Sequence, residues 1–394
     1  MKLQRLYLRT DLVEFAAFPY NSKTGENIRT WFVASLKHIT IEHCDVSSIT
    51  PDGAADGQCG LNLIDTLAEK VDTCNLHQLQ RAVLIAMGLT GVSCKNVPAK
   101  ANFKKHNRIV MLSNQNLKVP AAIDLAQMAA GVLDHETLGL VKTAVTRWGN
   151  QYSQIERNNL LRLAIDPTVD KYKRENKGEK EAIIENDLND NSTKVGKAVP
   201  ASEIGLTADD WEESQELEAF LEYPYKVKEI VEKGNGACTG AQSLQLMFDL
   251  KENFCDGDAG LSVKVFPATL SMADCTRAVE HKSADALGDA VSTGRDLMRS
   301  ELQARFFELR PSNLRLVQCF MSKQPGFDCK NYLKESQYQL AETLYLQAMR
   351  AAQSIAPAMM LAPSAKKIKV EDKIAASGSP LFKGAQNVLS GDAA

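Results

Sequence analysis

From Leu61 onward the apolar positions of the chain recur at helical spacing. Leu63, Ile64, Leu67 and Val71 form one stripe, and Leu76, Leu79, Val83, Leu84 and Met87 form the next, with Gly88 and Gly91 placed to end that second helix. Pro120 suits the start of another helix, carrying Ile123, Leu125, Met128, Ala129 and Val132. Asp134-His-Glu-Thr137 opens one that carries Leu138, Val141, Val145 and Trp148 towards Ile165. Thr207-Ala-Asp-Asp210 reads as a capping box before Trp211, Leu217, Phe220 and Leu221. Ser271 to Asp274 caps a further helix, and Tyr332 to Met349 forms a last amphipathic one through Leu333, Leu340, Leu344, Tyr345 and Met349.

Before Leu61 the pattern differs. Leu3, Leu6, Tyr7, Leu8, Leu12, Val13 and Phe15 precede turn chemistry from Pro19 to Gly25; Trp31, Phe32 and Val33 and then residues 38–42 follow. That alternation predicts a β-hairpin. Thr50 to Gly53 and Ala54 to Gly57 break the chain in a surface loop. Between Asp166 and Ser202 charge replaces apolar residues, so the segment is expected to be an exposed, mobile connection. Within it Ile183, Ile184 and Leu188 suit a short docking helix. From Ser364 there is almost nothing to bury, which predicts a disordered tail. The expected fold is therefore mainly α. Its parts are a β-rich arm (residues 1–57), two helical lobes (58–165 and 203–355) joined by a charged mobile connection (166–202), and a disordered tail (356–394).

The stretch from Ser292 to Met321 adds cations to this pattern. Met298, Leu302, Phe306 and Leu309 share one helical stripe; Arg299 and Arg310 flank it on one side and Arg305 on the other, before Pro311 stops the helix. Arg315 follows among Leu314, Leu316 and Val317. Forked guanidinium groups along a buried helix suit phosphate or carboxylate, and Glu301 and Glu308 are the intramolecular alternative. A second basic run, expected to be a turn-rich connector, holds Lys95, Pro98, Lys100, Phe103, Lys104, Lys105, His106 and Arg108. Cations around an aromatic suit backbone phosphate and a stacked base, or simply a solvated loop. Arg147, Arg157 and Arg162 stand where the opposite wall of such a groove would lie.

Composition narrows the chemistry. The chain has 394 residues, 44% hydrophobic and 24% charged, with a net charge of -3, so any polyanion surface is a local patch. No apolar run approaches the roughly 20 residues of a membrane span. Residues 1–9 alternate charge with apolar positions and lack the apolar core of a secretory signal, which points to cytosol or nucleus. The nine cysteines are scattered without a C-x-x-C pair. His38, His43 and Cys44 suit either a metal or a strand edge, and the strand edge is the commoner use. Gly234 to Gly240 lacks the spacing and the Gly-Lys-Ser/Thr ending of a phosphate loop. No catalytic constellation, metal or cofactor is expected.

Lys366, Lys367 and Lys369, with Pro363 before and Glu371-Asp372 after, resemble a monopartite nuclear localisation signal, and residues 368–371 resemble a modifier attachment site. In general layout, from about Leu61 to Met349, the chain resembles the nucleocapsid proteins of negative-strand RNA viruses. That resemblance implies single-stranded RNA clamped between two lobes and self-assembly by exchanged arms. It implies partners among copies of the chain, a nuclear import receptor and a viral polymerase cofactor, and places in the virion and the host cytoplasm or nucleus. RNA contacts are then expected at Lys100, Phe103, Lys104, Lys105, Arg108, Arg147, Arg299, Arg305, Arg310 and Arg315. A helical scaffold that binds proteins and no nucleic acid is the competing expectation.

Overall fold

The computed structural model describes residues 19–38, 49–50, 55–65, 71–90, 94–129, 137–142, 148–185, 197–233, 240–265, 277–308, 313–322 and 328–361. These residues are mostly helical. In order they form α1 (Gly25–His38), α2 (Ala55–Asn62), α3 (Asn75–Ala86), α4 (Val97–Gln115), α5 (Lys118–Ala129), α6 (Trp148–Leu160) and α7 (Arg162–Glu175). The strands β1 (Ile183–Glu185) and β2 (Lys197–Val199) pair antiparallel, Ile184 opposite Ala198. Then come α8 (Ala208–Lys233), α9 (Gly240–Asp249), a π-helical turn at Leu250–Phe254, and the antiparallel pair β3 (Leu261–Lys264) and β4 (Val279–Lys282). Helix α10 (Asp289–Leu302) runs into a second π-helical turn, Gln303–Glu308, before α11 (Asn313–Met321) and α12 (Glu335–Leu361). The chain divides into two compact units, residues 1–342 and 343–394. The second is described over residues 343–361, all helical, with Leu346 and Met349 exposed.

Several expectations change. The loop expected over Ala54 to Gly57 is the start of α2, and residues 137–142, expected inside a helix opened by Asp134, form no regular element before α6 begins at Trp148. Trp31, Phe32 and Val33 lie in α1, not in a hairpin strand. The residues that read as a turn cap the helix instead: the Thr24 hydroxyl accepts from the Asn27 amide at 3.3 Å, and Asn27 Nδ2 donates to the Ser22 carbonyl at 2.9 Å. The remaining hairpin positions, 3–15 and 39–42, lie outside the described residues. The supposed connector at residues 95–108 is mostly α4, because Asn96 accepts from the Ala99 amide at 3.2 Å and Pro98 occupies the first turn, where its missing N–H costs nothing. Much of the supposed connection is helix or strand. Helix α7 runs through Pro167 to Glu175 and buries Thr168, Val169 and Tyr172, and Ile183 and Ile184 lie in a strand rather than a helix.

Other signals match their structure. Gly88 closes α3 with φ of 66°, where a Cβ would stand 2.4 Å from the Asn96 carbonyl oxygen. The capping box is present, with Asp210 N donating to the Thr207 hydroxyl at 3.2 Å and Thr207 N donating to the Asp210 carboxylate at 2.8 Å. Met298, Leu302 and Phe306 are buried as their stripe requires.

The largest core is shared across the expected lobe boundary. Leu79, Ala82 and Val83 of α3 with Met87 just after it, Phe103 of α4 and Tyr152 and Ile155 of α6 meet Leu217, Phe220 and Leu221 of α8 and Val291, Met298 and Leu302 of α10. Helix α4 also enters a second core through Ile109 and Leu112, packed with α5, α7, β1, β2 and Trp211. A third joins Leu244 of α9 to Leu316 and Cys319 of α11 and to Leu333.

Asn96 is the polar pin of the first core. It is fully buried, and its Nδ2 donates to the Ala86 carbonyl at 2.7 Å and to the Ala290 carbonyl at 2.8 Å. Gly294 of α10 allows this approach, since a Cβ there would meet Met87 Cε at 3.0 Å. Asn96→Ala removes the side-chain donor to the Ala86 and Ala290 carbonyls and the acceptor of the Ala99 amide in an apolar interior. The expected loss is about 3 kcal/mol, read as a lower urea midpoint with an unchanged slope; a midpoint within error of wild type would remove the pin.

Candidate functional site

The basic residues foreseen on the first half stand on α4, which has no Asp or Glu of its own. Phe103 faces inward at 2% exposure and presents no ring face to a base. Arg108 grips both oxygens of Glu185, at 3.2 and 3.1 Å, and reaches Glu203 at 3.3 Å. Lys104 shares Glu185 at 3.2 Å while its side chain stays 43% exposed. Lys105 binds Asp210 at 2.6 Å. Glu185 is buried, and its charge requires such partners. Lys100 is half-buried on the same helix.

The arginines of the second half fall into two places. Arg299 pairs with Glu252 of the first π-helical turn at 3.0 Å. Arg305 holds Glu301 at 2.7 Å and donates to Gln78 Oε1 at 2.8 Å; Arg315 lies 3.6 Å from Asp72 and donates to the Thr73 carbonyl at 3.4 Å. Two arginines ten residues apart thus return to residues 72–78, where α3 begins. That helix has no acidic residue in its first turn and no side-chain cap from Cys74. The positive dipole end of a helix without a side-chain cap, together with two guanidinium groups that reach Thr73 and Gln78, is an arrangement suited to an anion. Arg147, Arg310, Lys366, Lys367 and Lys369 lie outside the described residues. So do His43 and Cys44, while His38 ends α1.

Among the described residues no group of three or more His, Cys, Asp or Glu could hold a metal ion, and no helix is long and apolar enough to cross a membrane. Burial pushes the Cys255 thiol up to about 12 and the Cys319 thiol up to about 11, so neither is a nucleophile at neutral pH.

One constellation escaped the sequence reading. His106 Nε2 is 2.7 Å from Ser214 Oγ, and Asn158 Nδ2 is 3.0 Å from His106 Nδ1, the outline of a hydrolase triad. The proton order contradicts that chemistry. Asn159 Nδ2 donates to Glu218 at 2.8 Å and to the Ser214 carbonyl at 3.1 Å, which turns its Oδ1 towards the serine. Ser214 gives its only proton to that oxygen at 2.6 Å, so His106 must donate to Ser214 and cannot act as its base. Both residues are fully buried. The network joins α4, α6 and α8 and ends on Glu218, which Arg277 grips with two N–H groups. Its sequence signal was polar residues sitting on apolar stripes: His106 between Phe103 and Ile109, Ser214 between Trp211 and Leu217.

Burial lowers the His106 pKa from 6.5 to about 3, against the opposing pull of Asp210. The unfolded chain takes up this proton below pH 6.5 and the folded protein only near pH 3. Its share of stability is therefore whole above pH 6.5 and declines by about 1.4 kcal/mol per pH unit as pH falls towards 3. His106→Asn should be less stable than wild type at pH 7, and the gap should close at that rate below pH 6.5 in urea unfolding. A gap independent of pH would exclude a buried neutral histidine.

No protein-family model matches the chain, and no curated protein matches it in sequence.

Proposed function

We propose that this chain is a nucleoprotein that coats single-stranded RNA without regard to sequence and assembles with copies of itself. The observation that carries the reading is the convergence of Arg305 and Arg315 on the uncapped start of α3. Guanidinium forks and first-turn amides both recognise phosphate, and contacts to phosphate carry no sequence information, which is the chemistry of sequence-independent binding. The ion pairs these arginines make with Glu301 and Asp72 leave N–H groups of Arg305 to spare, since a guanidinium carries five. Self-assembly draws on the N-terminal helices: α1 buries no residue, and its principal packing is against α2. The tail lysines 366, 367 and 369 belong to the same proposal as an import signal.

A protein-binding scaffold is the second reading. It is favoured by Lys104, Lys105 and Arg108, whose charges are spent on Glu185, Glu203 and Asp210.

Fluorescence anisotropy with a labelled oligoribonucleotide of mixed sequence separates the two. Wild type should bind, and Arg305→Gln or Arg315→Gln should weaken binding alike for all sequences. Each should flatten the slope of log affinity against log salt by about 0.7, with the melting curve confirming a folded variant. No binding by wild type, or a salt slope indifferent to both arginines, would give the case to the scaffold.

A fluorescent fusion tests the tail separately. Replacing Lys366, Lys367 and Lys369 by Ala should shift it from nucleus to cytoplasm without altering the melting temperature; an unchanged distribution would end the import claim.

A further inference from the structure

The two π-helical turns meet. Lys251, in Leu250–Phe254, donates to Gln303 Oε1 at 2.7 Å in Gln303–Glu308, and its ammonium lies 4.8 Å from the centre of the Phe307 ring and 5.8 Å from that of Phe248. An inserted residue in a helical ladder costs regular hydrogen bonding, and such turns concentrate at functional sites because they re-aim side chains. Here the first turn ends on Phe254, which is half-buried at the edge of the largest core. Its ring packs on buried Phe220 at 5.5 Å on one side and stacks on Tyr223 at 4.8 Å, with the ring planes 10° apart. Arg295, buried on α10, lies 5.9 Å from the Phe254 ring centre and fixes the loop after it through the carbonyls of Ala259 and Gly260.

The stack ends in solvent. Tyr223 is 40% exposed although Phe254 is stacked against its ring. A stacked aromatic pair whose outer member reaches solvent is what a nucleobase stacks on, whatever its identity. The candidate cation is Arg299, one turn along α10 from Arg295, with its side chain 45% exposed and paired with the partly exposed Glu252 of the same π-helical turn that carries Phe254. Such exposed pairs hold weakly, so the guanidinium can turn to a phosphate. Burial and the Asp249 carboxylate hold the Tyr223 phenol above its usual range, so the ring meets a base uncharged.

We infer that Tyr223, backed by Phe254, is a stacking platform for one base of single-stranded RNA, with Arg299 holding the adjoining phosphate. This rests on the nucleoprotein reading and deepens it, by adding a base-stacking subsite to a phosphate-binding surface. The platform tolerates every base, so it adds affinity without sequence preference.

The experiment compares two labelled oligomers of equal length and charge, one of ordinary RNA and one with abasic sugars, on the full chain. Tyr223→Leu keeps an apolar packing partner for Phe254 and removes the π-face. It should bind ordinary RNA about tenfold more weakly and abasic oligomer as wild type does. Tyr223→Phe, which keeps the ring, should lose distinctly less. Arg299→Gln should weaken both oligomers together, and thermal melting should show all three variants folded. If wild type binds RNA but Tyr223→Leu binds both oligomers as wild type does, the platform is wrong and the nucleoprotein reading stands. If Tyr223→Leu weakens both oligomers equally, the residue acts through structure and the platform is again overturned. If wild type binds neither oligomer, both proposals fall.

Discussion

Glu216 and Glu218 lie on α8 inside the largest core, 4% and 1% exposed, and a carboxylate there is tolerable only with its donors in place. Those donors come from everywhere else in the chain. Lys282 of β4 and the Gly288 amide before α10 serve Glu216 at 2.8 Å each, and Asn159 of α6 with Arg277 serves Glu218. Matching two buried charges therefore fixes the β3–β4 pair, the start of α10 and the face of α6 against one helix. The serine–histidine chain is the continuation of this match into α4. Apolar contacts supply the bulk of the attraction, but they are non-directional and leave register open; these hydrogen bonds define it.

The same logic explains how much of the molecule was legible in its sequence. Buried stripes such as Met298, Leu302 and Phe306 were readable because periodicity alone determines which face of a helix is covered. Punctuation was not, since Asn, Ser, Thr, Gly and Pro form turns and helix caps with the same hydrogen bonds. Asn21 to Gly25 and Lys95 to Pro98 both read as turns and both begin helices. The segment after Asp166 misled for another reason. Its charges occupy the outer face of α7, while Val169 and Tyr172, too few to register as a stripe, cover the inner one.

For the candidate site, residue type was readable and partnership was not. The carboxylates that bind Lys105 and Arg108 are 105 and 77 residues away. No local pattern distinguishes a lysine held by Asp210 from one facing solvent. The stack of Tyr223 on Phe254 was hidden similarly, because the two rings come from separate elements, α8 and the π-helical turn after α9. The arginines on the second half were easier to place, because they flank a stripe whose burial was already evident.

The Asn96 pin has a consequence for how the protein is made. Its two acceptors, Ala86 and Ala290, flank almost the whole of the first core, and the bond to Ala290 spans 194 residues. At translation rates of roughly 5 to 20 residues per second, about 10 to 40 s separate the synthesis of these partners. Over that interval the apolar faces of α3, and of α4 and α6 once they are made, exist without α10 to cover them. A nascent chain in this state is a substrate for chaperones on the ribosome, and neighbouring ribosomes on one message hold many such chains close together. Completion of α10 is therefore the moment at which the polypeptide ceases to be adhesive.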